Sequence, residues 1–217
     1  MSIRRDATRP IAGLAGRTVE IWGCGGLGSW LAEFIARAGA ARIVLRDHHD
    51  VGGGLLVRQN YIEDDIGANK ADRLAVRLRQ IADDLVVESH PVAVPRGLDA
   101  ALPSCDIIID ATVAPAVGAY LDAASGPDTR GLRPLLAQVA TDIRTGTLGM
   151  MTVRAPYSDA GLVEIDSEAG AAIAAHAELE RFQTLWQEPS TGEELIPVSS
   201  EGKADSAARG FARDAQD

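Results

Sequence analysis

Thr18-Val19-Glu20-Ile21-Trp22-Gly23-Cys24-Gly25-Gly26-Leu27-Gly28 is the stretch whose reading decides the fold. Its first five residues are β-prone and run directly into a glycine cluster that fits G-x-G-x-x-G. Leu27–Ala38 then carries helical spacing until Gly39 stops it, and Arg42–Arg46 reads as a second strand. Strand, tight turn, helix and strand make a βαβ unit of about 30 residues. Asp47 lies nineteen residues after Gly28, at the end of the second strand. Glycines let backbone N–H groups approach a phosphate at the helix N-terminus, where the dipole favours an anion, and a carboxylate at Asp47 can accept ribose hydroxyls. Gly23, Gly25, Gly26, Gly28 and Asp47 are therefore candidate nucleotide-binding residues. The pattern says nucleotide without saying which one.

Outward from this unit the alternation continues. The spacing predicts a helix over Lys70–Ile81 led in by Asn69 or its neighbours, and a strand within Leu85–Val94 interrupted before Pro91. Asp106–Asp110, with three isoleucines in succession, reads as a buried strand. A helix over Pro115–Ala124 and a strand over Leu135–Ala140 follow. This order argues for an α/β fold with a doubly wound, mostly parallel Rossmann-like sheet, its ligands held at the carboxyl ends of the strands. Thr147–Val153 follows too closely for a crossover and reads as an added antiparallel strand. Ser167–Trp186 is Ala-rich and reads as a C-terminal helix, with Asp166 or Ser167 as cap and Pro189 as stop. The organisation expected is an N-terminal arm over 1–16, a nucleotide-binding domain over 17–188, and a flexible tail or crossover segment over 189–217.

The 217 residues are 46% hydrophobic and 24% charged, which excludes collagen-like, coiled-coil and wholly disordered classes. A net charge of −10 without a basic stripe argues against a nucleic-acid partner. Cys24 and Cys105 form neither a disulfide framework nor a zinc clip, which favours a reducing, cytoplasmic location. No apolar run approaches the roughly 18 to 20 residues of a membrane span, and Met1–Pro10 has no apolar segment behind it to make a secretory leader.

Arg58-Gln59 and Lys70 place two cations downstream of the second strand, where an extended phosphate chain would lie. A dinucleotide fold needs no such pair. With these residues the chain resembles the ubiquitin-activating-type adenylyltransferases, the ThiF/MoeB/HesA superfamily. The resemblance rests on Gly23 to Ser29, Asp47, Leu56-Val57-Arg58-Gln59, Gly67, Lys70 and Asp110-Ala111-Thr112, and it runs from about Arg17 to Ala124 and more faintly through Gln138–Val153. It implies ATP as cofactor, held by the glycine loop and Asp47, with Asp110 at the pocket. Arg58 and Lys70 would be the catalytic cations that offset charge on the α-phosphate and the departing pyrophosphate, and Gln59 would help position phosphate or metal. The attacking group implied is a carboxylate, usually the C-terminus of a ubiquitin-like or sulfur-carrier protein or peptide. A homodimer is implied as well.

The chain departs from the family pattern in three places. Where the family has Asp-x-Thr-Asp, with the second Asp on Mg2+, this chain has Asp110-Ala111-Thr112-Val113, which leaves Asp110 or Asp50 as substitute ligands. Asp47-His48-His49 and Gly54-Leu55-Leu56 remove an acid and an amide from the pocket rim. Nothing after Cys105 can form a thioester, and of the family's arginine-rich N-terminal helix only Arg4 or Arg5 is a candidate remnant. One domain of a longer polypeptide, or half of an asymmetric pair, is expected from these features.

Two alternatives stand beside the adenylyltransferase. One is a catalytically silent partner that binds a ubiquitin-like protein or an active subunit; the other is an NAD-dependent enzyme using the same loop and Asp47. Simpler roles also exist for single residues. Arg58 and Lys70 can be solvated helix-face charges, Cys24 packing, His48 and His49 a solvated loop pair, and Glu63, Asp64 and Asp65 a solvated helix start. Asp110, at the carboxyl edge of a buried strand, reads as functional ahead of structural.

Overall fold

A computed structural model describes residues 10–92, 102, 104–125, 133–142 and 146–186. Six strands form one sheet: β1 (Thr18–Trp22), β2 (Arg42–Arg46), β3 (Val86–His90), β4 (Ile107–Asp110), β5 (Leu135–Thr141) and β6 (Gly149–Arg154). Their order is β3-β2-β1-β4-β5-β6, with the first five parallel and β6 antiparallel to β5. The expected doubly wound sheet with an antiparallel addition is therefore the fold observed. Strand order reverses between β1 and β4, and a ligand crevice opens beyond the carboxyl ends of strands at such a switch point.

The period-2 alternation of the strands sorts the core onto two faces. Val19 and Ile21 of β1 and Ile109 of β4 pack with Ala32, Ile35 and Ala36 of α1 (Gly28–Ala38) and with Leu74 and Leu78 of α2 (Lys70–Arg79). Trp22 and Ile108, pointing the other way, pack with Val117 and Leu121 of α3 (Pro115–Ala124) and with Leu162 of α4 (Leu162–Ala174). Each fully buried aliphatic side chain contributes about 1.5–3 kcal/mol relative to exposure, so both helical layers are held by burial. Gly39 ends α1 in the left-handed conformation at φ +94°, and Asn69 caps α2 by accepting from the Asp72 N–H.

Two expectations are corrected. The C-terminal helix begins at Leu162, five residues before the expected Ser167, and stops at Ala174; a separate 3-10 segment covers Ala177–Leu185. Neither Asp166 nor Ser167 caps it. Asp122 of α3 does, its carboxylate accepting from the N–H groups of Leu162 and Val163 at 2.6 and 2.9 Å. Glu63–Asp65 is one 3-10 turn, and Asp65 in it is buried and ion-paired with Arg73 rather than solvated. Pro10–Leu14 of the arm is a 3-10 turn; Arg4, Arg5 and the expected tail over 189–217 lie outside the described residues.

Candidate functional site

The glycine loop leaves β1 at Gly23, whose φ of +90° only glycine adopts without strain. A Cβ there would meet the Ala111 carbonyl oxygen at 2.8 Å, and one on Gly28 would overlap the Gly23 carbonyl. These two glycines let α1 start directly against the ends of β1 and β4. No side chain caps that start. The loop's own backbone closes it instead, the Ser29 N–H donating to the Gly25 carbonyl and the Leu31 N–H to the Leu27 carbonyl, each at 3.0 Å.

Asp47 is buried at the end of β2 and ties the loop down. Its two carboxylate oxygens accept from the N–H of Cys24 at 2.7 Å and of His49 at 2.9 Å. Cys24 is packing: burial raises its thiol well above its ordinary range, so no thiolate is available there.

Gln59 is buried against the same loop, its Nε2 3.9 Å from where a Cβ on Gly25 would stand. Its Oε1 has no hydrogen-bond partner among the described residues. A buried acceptor left open costs about 1–3 kcal/mol, which a ligand hydroxyl or amino group would recover. Lys70, the first residue of α2, is 0% exposed, and burial pulls its ammonium down from the ordinary lysine range while Asp47 opposes the shift. Arg58 is half-buried, and its charge is felt at Lys70, also disfavouring the ammonium. Glycine loop, Asp47, Arg58, Gln59 and Lys70 are thus brought together. A solvated helix-face role for Lys70 is incompatible with its complete burial.

Asp110 is also at the crevice, paired in register with Trp22 of β1, but its carboxylate faces the protein. One oxygen accepts from the N–H and hydroxyl of Thr112 at 2.9 and 2.6 Å, the other from Gln138 Nε2 at 2.9 Å. Burial raises its pKa above the ordinary Asp range, against the lowering effect of these hydrogen bonds. With three hydrogen bonds accepted and no exposed surface, this carboxylate is closed to a hydrated Mg2+. Val113, at the family's magnesium position, has no ligand atom and sits at φ +51°, a left-handed conformation that β-branched residues avoid. Of the two substitute carboxylates Asp110 is thus enclosed, whereas Asp50 is exposed and its charge is felt at Lys70, which leaves Asp50 as the one of the pair open to a hydrated magnesium. One group of potential metal ligands does occur, Asp47, His48 and His49 with ligand atoms within 4.8 Å of one another, but two imidazoles and one carboxylate suit a zinc-type ion.

No sequence pattern points to the residues that fasten this site. Trp30 Nε1 donates to the Arg58 carbonyl at 3.1 Å, the Asn60 N–H donates to Ser29 Oγ at 3.1 Å, and Asn60 Nδ2 donates to Glu33 Oε2 at 2.7 Å. Glu33 also pairs with Arg37 and Arg77. Burial pushes its pKa up, but the hydrogen bonds from Asn60, Arg77 and Arg37 outweigh this and bring it to about 2. Such partners are set by tertiary contact and have no spacing rule.

Several known proteins are similar to this chain. The chain is 35% identical over 102 residues to the mouse adenylyltransferase and sulfurtransferase MOCS3, covering 43% of this chain and 22% of that protein. It is 28% identical over 135 residues to the ATP-dependent ubiquitin transferase-like protein Cap2 of Pseudomonas aeruginosa, covering 60% and 24%. The matched stretches thus span about a quarter of these relatives' lengths. Among solved structures, E. coli MccB with AMPCPP and selenomethionyl MccA superposes with a TM-score of 0.56 at 19% identity, over 88% of this chain and 63% of that one, which shows a shared fold. The ThiF family model matches residues 12–193, and the chain belongs to the ThiF family.

Proposed function

We propose that this chain is an ATP-dependent adenylyltransferase domain that activates a carboxylate, the C-terminus of a ubiquitin-like or sulfur-carrier protein or peptide. The observation that carries this reading is the convergence of Lys70, Arg58 and Gln59 on a glycine loop held by Asp47. In the reaction a carboxylate oxygen attacks the α-phosphorus of ATP. The bond from that phosphorus to the bridging oxygen breaks, and pyrophosphate leaves with the electron pair, giving an acyl-adenylate. No covalent chemistry from the protein is needed, only positioning and charge stabilisation. Loop N–H groups and the start of α1 face the phosphates, Gln59 and Asp47 orient the nucleoside, and Arg58 and Lys70 offset the charge that grows on the leaving group.

The relatives support this reading: MOCS3 is named for adenylyl transfer, and the MccB structure pairs an ATP analogue with MccA. A cytoplasmic homodimer, or a place within a longer polypeptide, is part of the same proposal. The second reading, a silent partner domain that binds a ubiquitin-like protein or an active subunit, is favoured by one observation, Val113 in place of a metal-binding acid.

Calorimetric titration with ATP, with and without Mg2+, tests the proposal, followed by pyrophosphate exchange with a carrier C-terminal peptide. Arg58→Ala and Lys70→Met, the latter keeping the buried volume, are each expected to weaken ATP binding about 10- to 100-fold. ATP binding unchanged in both variants would overturn the site assignment. ATP binding without exchange would select the silent partner, and NAD displacing ATP would select the dinucleotide reading.

A further inference from the structure

The groups assigned to ATP come from three separate segments: the glycine loop, the Arg58–Gln59 turn, and the start of α2 with Lys70. Their register is set where the three meet. Tyr61 stands there, 7% exposed, its ring packed into the core cluster beneath α1 and α2. Its hydroxyl lies 2.8 Å from the Cys24 carbonyl in the glycine loop and 3.3 Å from the Lys70 carbonyl in α2. One phenolic proton serves the nearer carbonyl and leaves the farther within reach. The Tyr61 N–H donates to the Gln59 carbonyl at 2.9 Å, so the same residue also closes the turn that carries Gln59. Burial raises the phenol far above its ordinary range, so it stays a donor throughout the working pH range. Asn60 fastens the opposite side of the turn to α1 through Ser29 and Glu33.

We propose that Tyr61 is a positioning residue for nucleotide binding, its hydroxyl setting Lys70 in register with the glycine loop while its N–H closes the Arg58–Gln59 turn, with Asn60 as the second fastening. This rests on the adenylyltransferase reading. A group held slightly out of place loses phosphate contact steeply, because the cations act at contact distance. The nucleoside, oriented by Asp47 and Gln59, is affected less.

Tyr61→Phe keeps the ring and removes the donor. Affinities for ATP and for adenosine, measured by calorimetry well below the unfolding midpoint, separate positioning from stability. ATP binding is expected to weaken about tenfold while adenosine binding changes less than about twofold. Unchanged affinity for both ligands with a lowered unfolding midpoint would make the hydroxyl merely structural and overturn the proposal. Equal loss of both ligands would mean collapse of the pocket and overturn it too. Should Tyr61→Phe fail to fold, Asn60→Ala is expected to show the same split at about threefold, and its absence there would be equally decisive. Wild-type protein that does not bind ATP would remove the underlying reading and this proposal together, whereas wild-type binding matched by Tyr61→Phe removes this proposal alone.

Discussion

β1 is flanked by two strands that lead to an aspartate, β2 to Asp47 and β4 to Asp110, and the two carboxylates do different work. Asp47 reaches across to the Cys24 N–H, a group from a loop 23 residues earlier, and so joins the glycine loop to the sheet. Asp110 bonds its own turn at Thr112 and the adjacent strand at Gln138, and so joins framework to framework. The pattern extends outward. On the β2 side the buried polar residues Glu33, Gln59, Asn60 and Lys70 fix or form the proposed ligand cradle, whereas on the β4 side Asp122 caps α4 and Arg154 meets the Ser125 carbonyl. An acid at a strand end is informative about function only when its partner lies on a loop that a ligand would touch.

The sharpest attack on this contrast is substitution of the two acids. Asp47→Ala leaves two N–H groups without their acceptor and is expected to cost about 3 kcal/mol in urea unfolding, with ATP binding lost. Asp110→Asn is expected to change stability by less than about 1 kcal/mol at pH 7, because removing a charge that burial disfavours offsets the acceptor lost to Thr112 or Gln138. Equal costs for the two would break the contrast.

Next in size is Glu33→Gln, expected to cost about 2 kcal/mol at pH 7 through weaker bonds to Asn60, Arg37 and Arg77. Its pH dependence has the opposite sign to that of Asp110. The Glu33 pKa is depressed on folding, so its contribution is complete above the ordinary value of 4.5 and is lost as pH falls toward about 2. The Asp110 pKa is raised, so the wild type carries its penalty above that raised value and is relieved as pH falls toward 3.8. Unfolding curves between pH 7 and pH 2 should show the Glu33→Gln deficit and any Asp110→Asn advantage both shrinking in acid. A Glu33→Gln deficit that grows in acid would refute the assignment.

Asp122→Ala should cost about 1 kcal/mol by uncapping α4 and leave ATP affinity unchanged, which calorimetry and thermal unfolding together would show. The smallest effect expected is a gain. Val113→Asn relieves a β-branched residue at φ +51° and should raise stability by about 0.5–1 kcal/mol. A loss would mean that packing of the valine outweighs its backbone strain.

Much of the scaffold was legible. The strands at Thr18–Trp22 and Arg42–Arg46 and the helix at Pro115–Ala124 follow from local pattern, because turn glycines, Pro at a helix start and β-branched runs act over a few residues. α4 was misplaced because its cap comes from Asp122, forty residues away in sequence. At the site, Lys70 could be selected by resemblance, but its burial could not be read from its neighbours. Asn60 and Tyr61 carried no signal because a polar residue and an aromatic in a loop have many equally ordinary uses. Asp110 illustrates the reverse case, a position with a functional address whose carboxylate is enclosed by Thr112 and Gln138.

The strand order has a consequence for synthesis. β1 is central in the finished sheet, yet its second neighbour, β4, is encoded 85 residues after β1 ends, so a growing chain that has made β1, β2 and β3 exposes β1 as an open edge. Such edges invite pairing with other nascent chains, and an inward-pointing charge is one protection against it. β1 carries a charge in Glu20, whose partners Arg46 of β2 and Trp22 of β1 are both made before β4. A buried ion pair of the mature fold can thus form while β1 still awaits its second neighbour.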